Sequence, residues 1–329
     1  MRPQLPTSLR ATLMAIGLLG LIALLWPLWV AQLAISRLRT SRRTPAPLEI
    51  PRVDIAETDL RTLMQRRTPV IIRGLTDSLD LGLLPDLEGL RRMAGDGPTP
   101  FHVKTHRDHS PYFLYRGDYG AELDHTADMD LDEFVTFMFD GEQPPGTCTY
   151  RLFSVGDLDG RVGAIVDDIS RRLAERTDAT PDRQASGLWI GSRGVVTPLH
   201  HDAWTGLLFQ FHGSKRIRMF SPTDRANLYF SSPREPRDVW SRLPGRSADA
   251  DPVEFPLFAR ATPHEATLVA GEVLFIPPYW SHEIEALEAN ISIPFRFTTT
   301  VREYLDPGFL VPAMEVFDSK FVQPRTHQR

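Results

Sequence analysis

The chain has 329 residues, of which 42% are hydrophobic and 24% charged, which is ordinary for a globular protein with room for a sizeable core. Its one cysteine, Cys148, excludes an intramolecular disulfide framework and a cysteine-based zinc site, so histidine and carboxylate remain as metal ligands. The net charge of −5 combines +6 over residues 1–43 with −11 over the rest, and this acidic main part argues against nucleic acid as a partner.

The first predicted element is an uncharged apolar segment, residues 11–31, which reads ATLMAIGLLGLIALLWPLWVA. It is long enough to cross a hydrocarbon core of about 30 Å as a helix. A cleaved signal peptide is the alternative, but its apolar region is normally only about 7–15 residues long. We therefore expect residues 1–36 to be a single-pass membrane anchor. Four arginines follow the segment within residues 37–43 and two precede it, which predicts that the remaining chain is cytoplasmic.

The next part of the chain is predicted to be a linker followed by mixed α and β structure. Residues 37–50 are basic and then proline-containing, as is typical of a linker. Residues 51–180 are expected to form an N-terminal α/β part. Within it, the run from Val70 to Gly74 predicts a buried strand closed by a turn. Apolar residues at near-helical spacing predict helices in residues 75–98, 130–139 and 161–175.

From residue 187 onward the pattern changes to short strands separated by turn residues. The predicted strands cover residues 188–190, 206–211, 216–220, 266–268, 273–276 and 291–297. Many short strands separated by turn residues are typical of an antiparallel β-sandwich or jelly roll. The open end of such a barrel is a usual place for a ligand site. Residues 224–262 are rich in proline and charge and are expected to be a surface excursion. Residues 303–329 are expected to be a C-terminal extension and are a candidate dimerisation element.

The most informative chemical pattern is Thr197-Pro198-Leu199-His200-His201-Asp202, with His282 eighty residues later. Residues i and i+2 of a strand point to the same side, so His200 and Asp202 can converge on one ion while His201 points away. Two histidines and one carboxylate form the facial triad that holds Fe(II) and leaves positions open for substrate and oxygen. A His-x-Asp tripeptide alone is common, so the prediction depends on its surroundings.

Several neighbouring residues support a metal site by their co-occurrence. His282 follows an apolar strand and a Pro-Pro turn, and Lys215 begins a predicted strand from which an ammonium could pair with a carboxylate. Thr197 lies three residues before His200, where its hydroxyl could donate near the same ligand. A lysine at a strand start is more often solvated, and aromatic residues such as Trp189 more often belong to a core. Residues expected to be non-ligands are His201, His212 and His264, and those expected to face solvent are Arg216 and Arg218.

The stretch GLWIGSRGVVTPLHHDAWTGLLFQFHGSKRIRMFSP (residues 187–222), taken with residues 271–287, resembles the cupin-like JmjC family. These are Fe(II)- and 2-oxoglutarate-dependent oxygenases of the asparaginyl-hydroxylase type. The resemblance covers residues 48–300 and implies a mainly β fold with flanking helices. Its core, residues 181–302, would be a double-stranded β-helix, the jelly roll of cupins.

The resemblance also implies roles for individual residues. The iron ligands would be His200, Asp202 and His282, and the distal carboxylate of 2-oxoglutarate would be bound by Thr197 and Lys215. In some relatives a tyrosine from the region of Tyr150 to Phe153 also contacts that carboxylate, and this position is left unassigned. Gly206 and Arg296 stand where relatives that hydroxylate asparagine have an asparagine, which counts against that substrate.

The reaction implied is hydroxylation of a protein or peptide side chain, with Fe(II) as the metal and 2-oxoglutarate as co-substrate. N-demethylation uses the same iron chemistry on a methyl group attached to nitrogen and stays open. A membrane-tethered cupin that binds metal or ligand without turnover is the non-enzymatic alternative, which the presence of the triad, Thr197 and Lys215 disfavours.

Overall fold

A computed structural model of the protein describes residues 45–79, 101–107, 123–129, 131–140, 147–153, 155–156, 160–230 and 239–298, together with Pro27 and Gly89. Apart from Pro27, the predicted membrane anchor lies outside these residues, as do most of the predicted linker and the C-terminal extension. Within the described ranges, no helix has both the length and the apolar character needed to span a membrane.

Two β-sheets form the framework of the described residues. Their strands are β1 (Leu48–Glu49), β2 (Arg52–Asp54), β3 (Val70–Arg73), β4 (Phe101–Arg107), β5 (Leu123–Met129), β6 (Thr147–Phe153), β7 (Leu188–Gly191), β8 (Val196–His201), β9 (Thr205–His212), β10 (Ser214–Phe220), β11 (His264–Val269), β12 (Val273–Ile276), β13 (Ser281–Ala286) and β14 (Asn290–Phe297). One sheet has the order β1-β11-β10-β13-β8, and the other has the order β2-β3-β12-β9-β14-β7-β6-β4-β5.

Strands β7 to β14 form the jelly roll, with four of them in each sheet. Strands β8, β13, β10 and β11 are consecutive in the first sheet, and β12, β9, β14 and β7 are consecutive in the second. All pairings among these eight strands are antiparallel. The mainly β architecture with a jelly-roll core is therefore as expected from the sequence.

Helices cover the outer face of the larger sheet. They are α1 (Leu60–Met64), α2 (Leu75–Ser78), α3 (Leu131–Val135), which continues into a π turn at Thr136–Asp140, and α4 (Arg161–Thr177). In α4 the buried residues recur at intervals of three or four, which gives the helix one apolar face. They include Val162, Val166, Ile169 and Leu173, and they pack against Phe209, Phe275 and Phe295 of the sheet in one buried cluster.

The strands of the larger sheet have two apolar faces because alternate side chains point to opposite sides. In β9, Leu207 and Phe209 belong to the cluster under the helices, whereas Leu208 belongs to the cluster between the two sheets. Strand β14 follows the same alternation. Its isoleucines and phenylalanines face the helices, so the residues between them, Ser292, Pro294 and Arg296, face the interior of the jelly roll.

The excursion at residues 224–262 differs from the sequence expectation, because it is not only a surface segment. It builds a third apolar cluster that includes Leu228, Leu243 and Ala261 and packs against Leu199 of β8. Its backbone also pairs with β8: the amide of His201 donates to the carbonyl of Val239, and the amide of Ser241 donates to the carbonyl of Leu199. The excursion thereby covers one side of the strand that carries His200.

Candidate metal centre

Two neighbouring strands bring the three predicted ligands together. His200 of β8 and His282 of β13 are paired in register, with ring centroids 4.2 Å apart. Asp202 follows the end of β8, two residues after His200, and turns to the same side. One ligand atom from each of His200, Asp202 and His282 lies within 4.8 Å of the others. The geometry matches the spacing argument, and their role as metal ligands stays a prediction.

Hydrogen bonds fix which nitrogen each histidine can offer to a metal. Nδ1 of His200 lies 2.8 Å from the carbonyl oxygen of Pro198, and Nδ1 of His282 lies 3.0 Å from that of Trp280. Because a carbonyl oxygen only accepts, both Nδ1 atoms carry the proton and both lone pairs lie on Nε2. Burial lowers the pKa of His200 to about 3 and also lowers the pKa of His282. Both rings are therefore neutral, which is the form that binds metals.

Asp202 is held by an arginine that the sequence analysis did not connect with it. Nε of Arg296 donates to Oδ2 of Asp202 over 3.1 Å. Burial raises the pKa of the Asp202 carboxyl, but the charge of Arg296 and its hydrogen bond to the carboxylate act in the opposite direction, and the net shift is downward. The carboxylate is therefore ionised, as metal ligation requires. The carbonyl of Asp202 also accepts from the amide of Tyr279, which ties the residue to the turn before β13.

The three histidines that the sequence analysis expected not to be ligands lie apart from this group. Nη1 of Arg225 donates to Nδ1 of His201 over 3.2 Å, and the His201 ring packs edge-on against Phe230 of the excursion. His201 therefore points away from His200, as the alternation of a strand requires. The rings of the remaining two pack edge-on against aromatic side chains, His212 against Phe139 and His264 against Trp280.

Trp240 is a residue of the site that the sequence did not reveal. Its ring stacks on His200 with centroids 4.3 Å apart and an interplanar angle of 18°, and the two residues also form an isolated β-bridge. Trp240 comes from the excursion, whose composition carries no sign of this contact. The contact depends on the long-range pairing of residues 239–241 with β8, which a reading of local patterns cannot detect.

The three predicted ligands line a cavity of about 430 Å³, measured with its open mouth. A second cavity of about 310 Å³ reaches Lys215. Trp189, Thr197 and Ile284 line both, so the two cavities adjoin. A small ligand could therefore contact the triad at one end and Lys215 at the other.

Lys215 points into the jelly roll rather than into solvent. Its side chain is buried, and Nζ donates to Oγ of Ser292 over 2.6 Å. Burial lowers the pKa of Lys215 to about 7. Thr197 is also buried and lines both cavities. A buried ammonium beside a cavity is suited to an anionic ligand, because the ligand would supply the opposite charge that burial makes valuable.

The tyrosine position near β6 stays unassigned. Strand β6 pairs with β7, and in that register Tyr150 lies opposite Gly191 and Phe153 opposite Leu188. The side chains of β6 fall outside the described residues, so only the placement of its backbone is known.

A jelly roll with two histidines and a carboxylate converging in its interior is the architecture of a cupin-type protein. The chain belongs to the cupin-like domain family, whose sequence profile matches residues 56–303. This match confirms the resemblance stated from the sequence.

Similar proteins include members with JmjC and demethylase names. The chain is 27% identical over 262 residues to Lysine-specific demethylase 8 of Danio rerio, covering 75% of this chain and 58% of that protein. It is 26% identical over 213 residues to Jumonji C domain-containing protein 5 of Drosophila melanogaster, covering 64% and 49%. It is 41% identical over 107 residues to HSPB1-associated protein 1 of Rattus norvegicus, covering 32% and 22%. The chain thus spans less than two thirds of each of these relatives.

Proposed function

We propose that the protein is an Fe(II)- and 2-oxoglutarate-dependent oxygenase that hydroxylates a protein or peptide side chain. The observation that carries this proposal is the convergence of His200, Asp202 and His282 within 4.8 Å, in a cavity that adjoins a buried lysine. Two histidines and one carboxylate are the donor set of non-haem Fe(II) oxygenases, and the residues present fit that metal.

His200 and His282 would hold the iron through Nε2 and Asp202 would hold it through its carboxylate. When bound, iron and 2-oxoglutarate supply the activation of dioxygen, by which one oxygen atom enters a substrate C–H bond and the other enters succinate, with loss of carbon dioxide. The Nδ1–H bonds to Pro198 and Trp280 keep both rings in the orientation that ligation needs. A hydrogen bond of this kind also makes the other ring nitrogen, Nε2, a stronger ligand for a metal.

Lys215 would bind the distal carboxylate of 2-oxoglutarate by charge pairing and would not act as a base. One of its three N–H donors goes to Ser292, which leaves donors for a carboxylate in the adjoining cavity. Thr197, between the two cavities, would add a hydroxyl. The co-substrate would therefore lie between the metal and Lys215.

A protein or peptide substrate is supported by the open mouth of the first cavity, where Trp204 is 39% exposed. Similarity to proteins named as a demethylase and as HSPB1-associated also favours a protein partner. N-demethylation is the second candidate function, because a relative covering 75% of the chain is named Lysine-specific demethylase 8.

The proposal is tested with the full-length chain, purified without oxygen in a non-ionic detergent and loaded with Fe(II). We expect 2-oxoglutarate to bind and, on admission of oxygen, to be consumed slowly even without a substrate. Asp202→Ala should abolish iron binding and consumption, whereas Asp249→Ala, at an exposed carboxylate, should change neither. If Fe(II) and 2-oxoglutarate bind but 2-oxoglutarate is not consumed, the result would support a cupin without catalytic activity. If neither binds, both the oxygenase and the non-catalytic cupin would be refuted.

We also propose, from the sequence alone, that residues 11–31 anchor the protein in a membrane as a single span with the cupin-like domain on the cytoplasmic side. Topology reporters fused to each end of the full-length chain test this. A reporter that is active only outside the cytoplasm should work at the N-terminus and fail at the C-terminus. The opposite result would reverse the orientation.

A further inference from the structure

Apolar residues line the part of the triad cavity that is separate from the cavity at Lys215. They include Trp204, Leu208, Ile276 and Pro294. Leu208 and Ile276 belong to the apolar cluster between the two sheets, so their side chains face the interior of the jelly roll. Trp204 is 39% exposed and stands at the mouth. A side chain that enters from the mouth therefore meets mainly carbon atoms.

The backbone of this wall is engaged in the larger sheet. Gly206 of β9 is paired with Ile276 of β12 on one side and with Arg296 of β14 on the other. Leu208 is paired in the same way, and its partner on β14 is Pro294, which has no N–H group. Backbone N–H and C=O groups of a central strand point at the neighbouring strands. They are therefore not directed at a ligand in the cavity.

The guanidinium of Arg296 is committed to groups of the protein. Nε forms an ion pair with Oδ2 of Asp202 over 3.1 Å, and Nη1 donates to the carbonyl of Ala185 over 2.8 Å. Cζ also lies 5.5 Å from the ring centroid of Trp189. A guanidinium has no acceptor atom, so Arg296 cannot take a hydrogen bond from a substrate N–H group.

The other polar side chains of the cavity leave no acceptor for a substrate. The indoles of Trp189 and Trp204 are donors only. The proposed function assigns the triad to the metal, and it assigns the hydroxyl of Thr197, between the two cavities, to 2-oxoglutarate. Among the described residues that line the triad cavity, these assignments use every side chain that could accept a hydrogen bond.

We propose that the side chain oxidised by this protein is aliphatic, like that of leucine, and carries no N–H groups such as those of asparagine or arginine. The inference deepens the proposed function and rests on it, because Thr197 and the triad are occupied only when metal and co-substrate are bound. A buried N–H group without an acceptor weakens binding. An aliphatic side chain instead gains affinity from contact with Leu208, Ile276 and Pro294.

The test compares three probes of nearly the same shape, the N-acetyl amides of leucine, asparagine and aspartate. Their side chains branch at the same carbon and end in two methyl groups, a carboxamide and a carboxylate. Full-length protein is loaded with Mn(II), a paramagnetic substitute for iron, and with 2-oxoglutarate, and the relaxation of the probes' β-protons is measured. In the native protein the leucine probe should be relaxed at least about tenfold more strongly than either of the others.

Gly206 allows an acceptor to be added to the wall. A Cβ atom at this position would lie 3.5 Å from Cβ of Ile276, which is ordinary van der Waals contact, so a small side chain fits. In Gly206→Asn and Gly206→Ser the ratio of leucine to asparagine relaxation should fall at least about threefold, because the new side chain can accept from the carboxamide.

Two controls separate the added acceptor from general effects. Gly206→Ala adds bulk at the same position without an acceptor and should keep the native ratio. Val269→Asn adds a carboxamide to β11 at a side chain that is 44% exposed and outside the triad cavity. It should also keep the native ratio.

The possible failures are distinguishable. If the native protein fails to bind Mn(II) or 2-oxoglutarate, the proposed function is refuted and this inference with it. If both bind and the leucine probe is not relaxed more strongly than the other two, the inference alone is refuted, and a preference for the aspartate probe would assign an anionic side chain instead. It is also refuted if Gly206→Asn and Gly206→Ser leave the ratio unchanged, or if Gly206→Ala lowers it equally.

Discussion

His200 and His282 are held in the same way by the backbone, although they lie on different strands. Each donates Nδ1–H to the carbonyl oxygen of the residue two positions before it, Pro198 for His200 and Trp280 for His282. The two residues are also direct partners across β8 and β13. The site is therefore pre-arranged by the sheet itself, with both Nε2 lone pairs available in neutral rings.

Removal of either histidine should abolish metal binding. We expect His200→Ala and His282→Ala to lower the affinity for Fe(II) by more than about 100-fold, because each deletes one of three ligands. Anaerobic titration of the full-length chain, followed by metal analysis, measures this. His212→Ala is the control, since His212 packs against Phe139 away from the triad. An unchanged affinity in His282→Ala would show that the ligand set is wrong.

Trp240 should support the metal site by covering His200. In Trp240→Ala the His200 ring would lose its stacking partner and gain solvent, so its pKa, now lowered by burial to about 3, should rise towards 6.5. Protons would then compete with the metal, and the loss of affinity should be larger at pH 6 than at pH 8. Trp240→Phe keeps an aromatic ring and should lose less. An equal loss of metal affinity at both pH values would indicate that Trp240 supports metal binding only by stabilising the fold, and not by keeping His200 neutral.

The affinity for 2-oxoglutarate should depend on pH through Lys215. Burial lowers the pKa of this lysine to about 7 in the free protein, and a bound carboxylate would raise it. Below pH 7 the ammonium is already formed, so affinity should be level. Above pH 7 each binding event takes up a proton, so affinity should fall by up to about tenfold per pH unit.

Calorimetry in buffers of different ionisation enthalpy counts this proton directly. We expect close to one proton taken up at pH 8 and close to none at pH 6 in the native protein. Lys215→Met should bind 2-oxoglutarate weakly and without proton uptake. A native affinity that is constant between pH 6 and pH 9 would contradict the anchoring role.

The helix-covered side of the larger sheet should dominate stability. Leu173 of α4 is fully buried in the cluster under the helices, so Leu173→Ala should lower the free energy of unfolding by about 2–5 kcal/mol. Leu48→Ala, at a leucine that is 49% exposed, should cost less than about 0.5 kcal/mol. Denaturant titration measures both. A small effect at Leu173 would mean that α4 is not part of the cooperative unit.

The parts of this structure that could be predicted from sequence are those set by local periodicity. The i, i+2 rule places His200 and Asp202 on one side and His201 on the other, as observed. Apolar spacing at three and four residues gives α4, which ends two residues beyond its predicted end at 175. The place of Lys215 at a strand start favoured a solvated side chain, and only the family resemblance implied that it reaches a ligand; its contact with Ser292 was not foreseen.

The parts that were missed depend on contacts between distant segments. Trp240 reaches His200 only because residues 239–241 pair with β8, and their composition gives no indication of it. Arg296 was noted as a departure from a family pattern, and its bond to Asp202 was not foreseen. The alternation in Asn290–Phe297 did contain a signal, since apolar residues at every second position leave Arg296 on the interior face.

The most direct test of the central claim is a turnover of the full-length protein with Fe(II), 2-oxoglutarate and oxygen-18 gas. If the triad supports the proposed chemistry, mass spectrometry will find succinate that carries one atom of oxygen-18, and Asp202→Ala will form none. Succinate without the label, or no succinate from protein that has bound both iron and 2-oxoglutarate, would contradict the account.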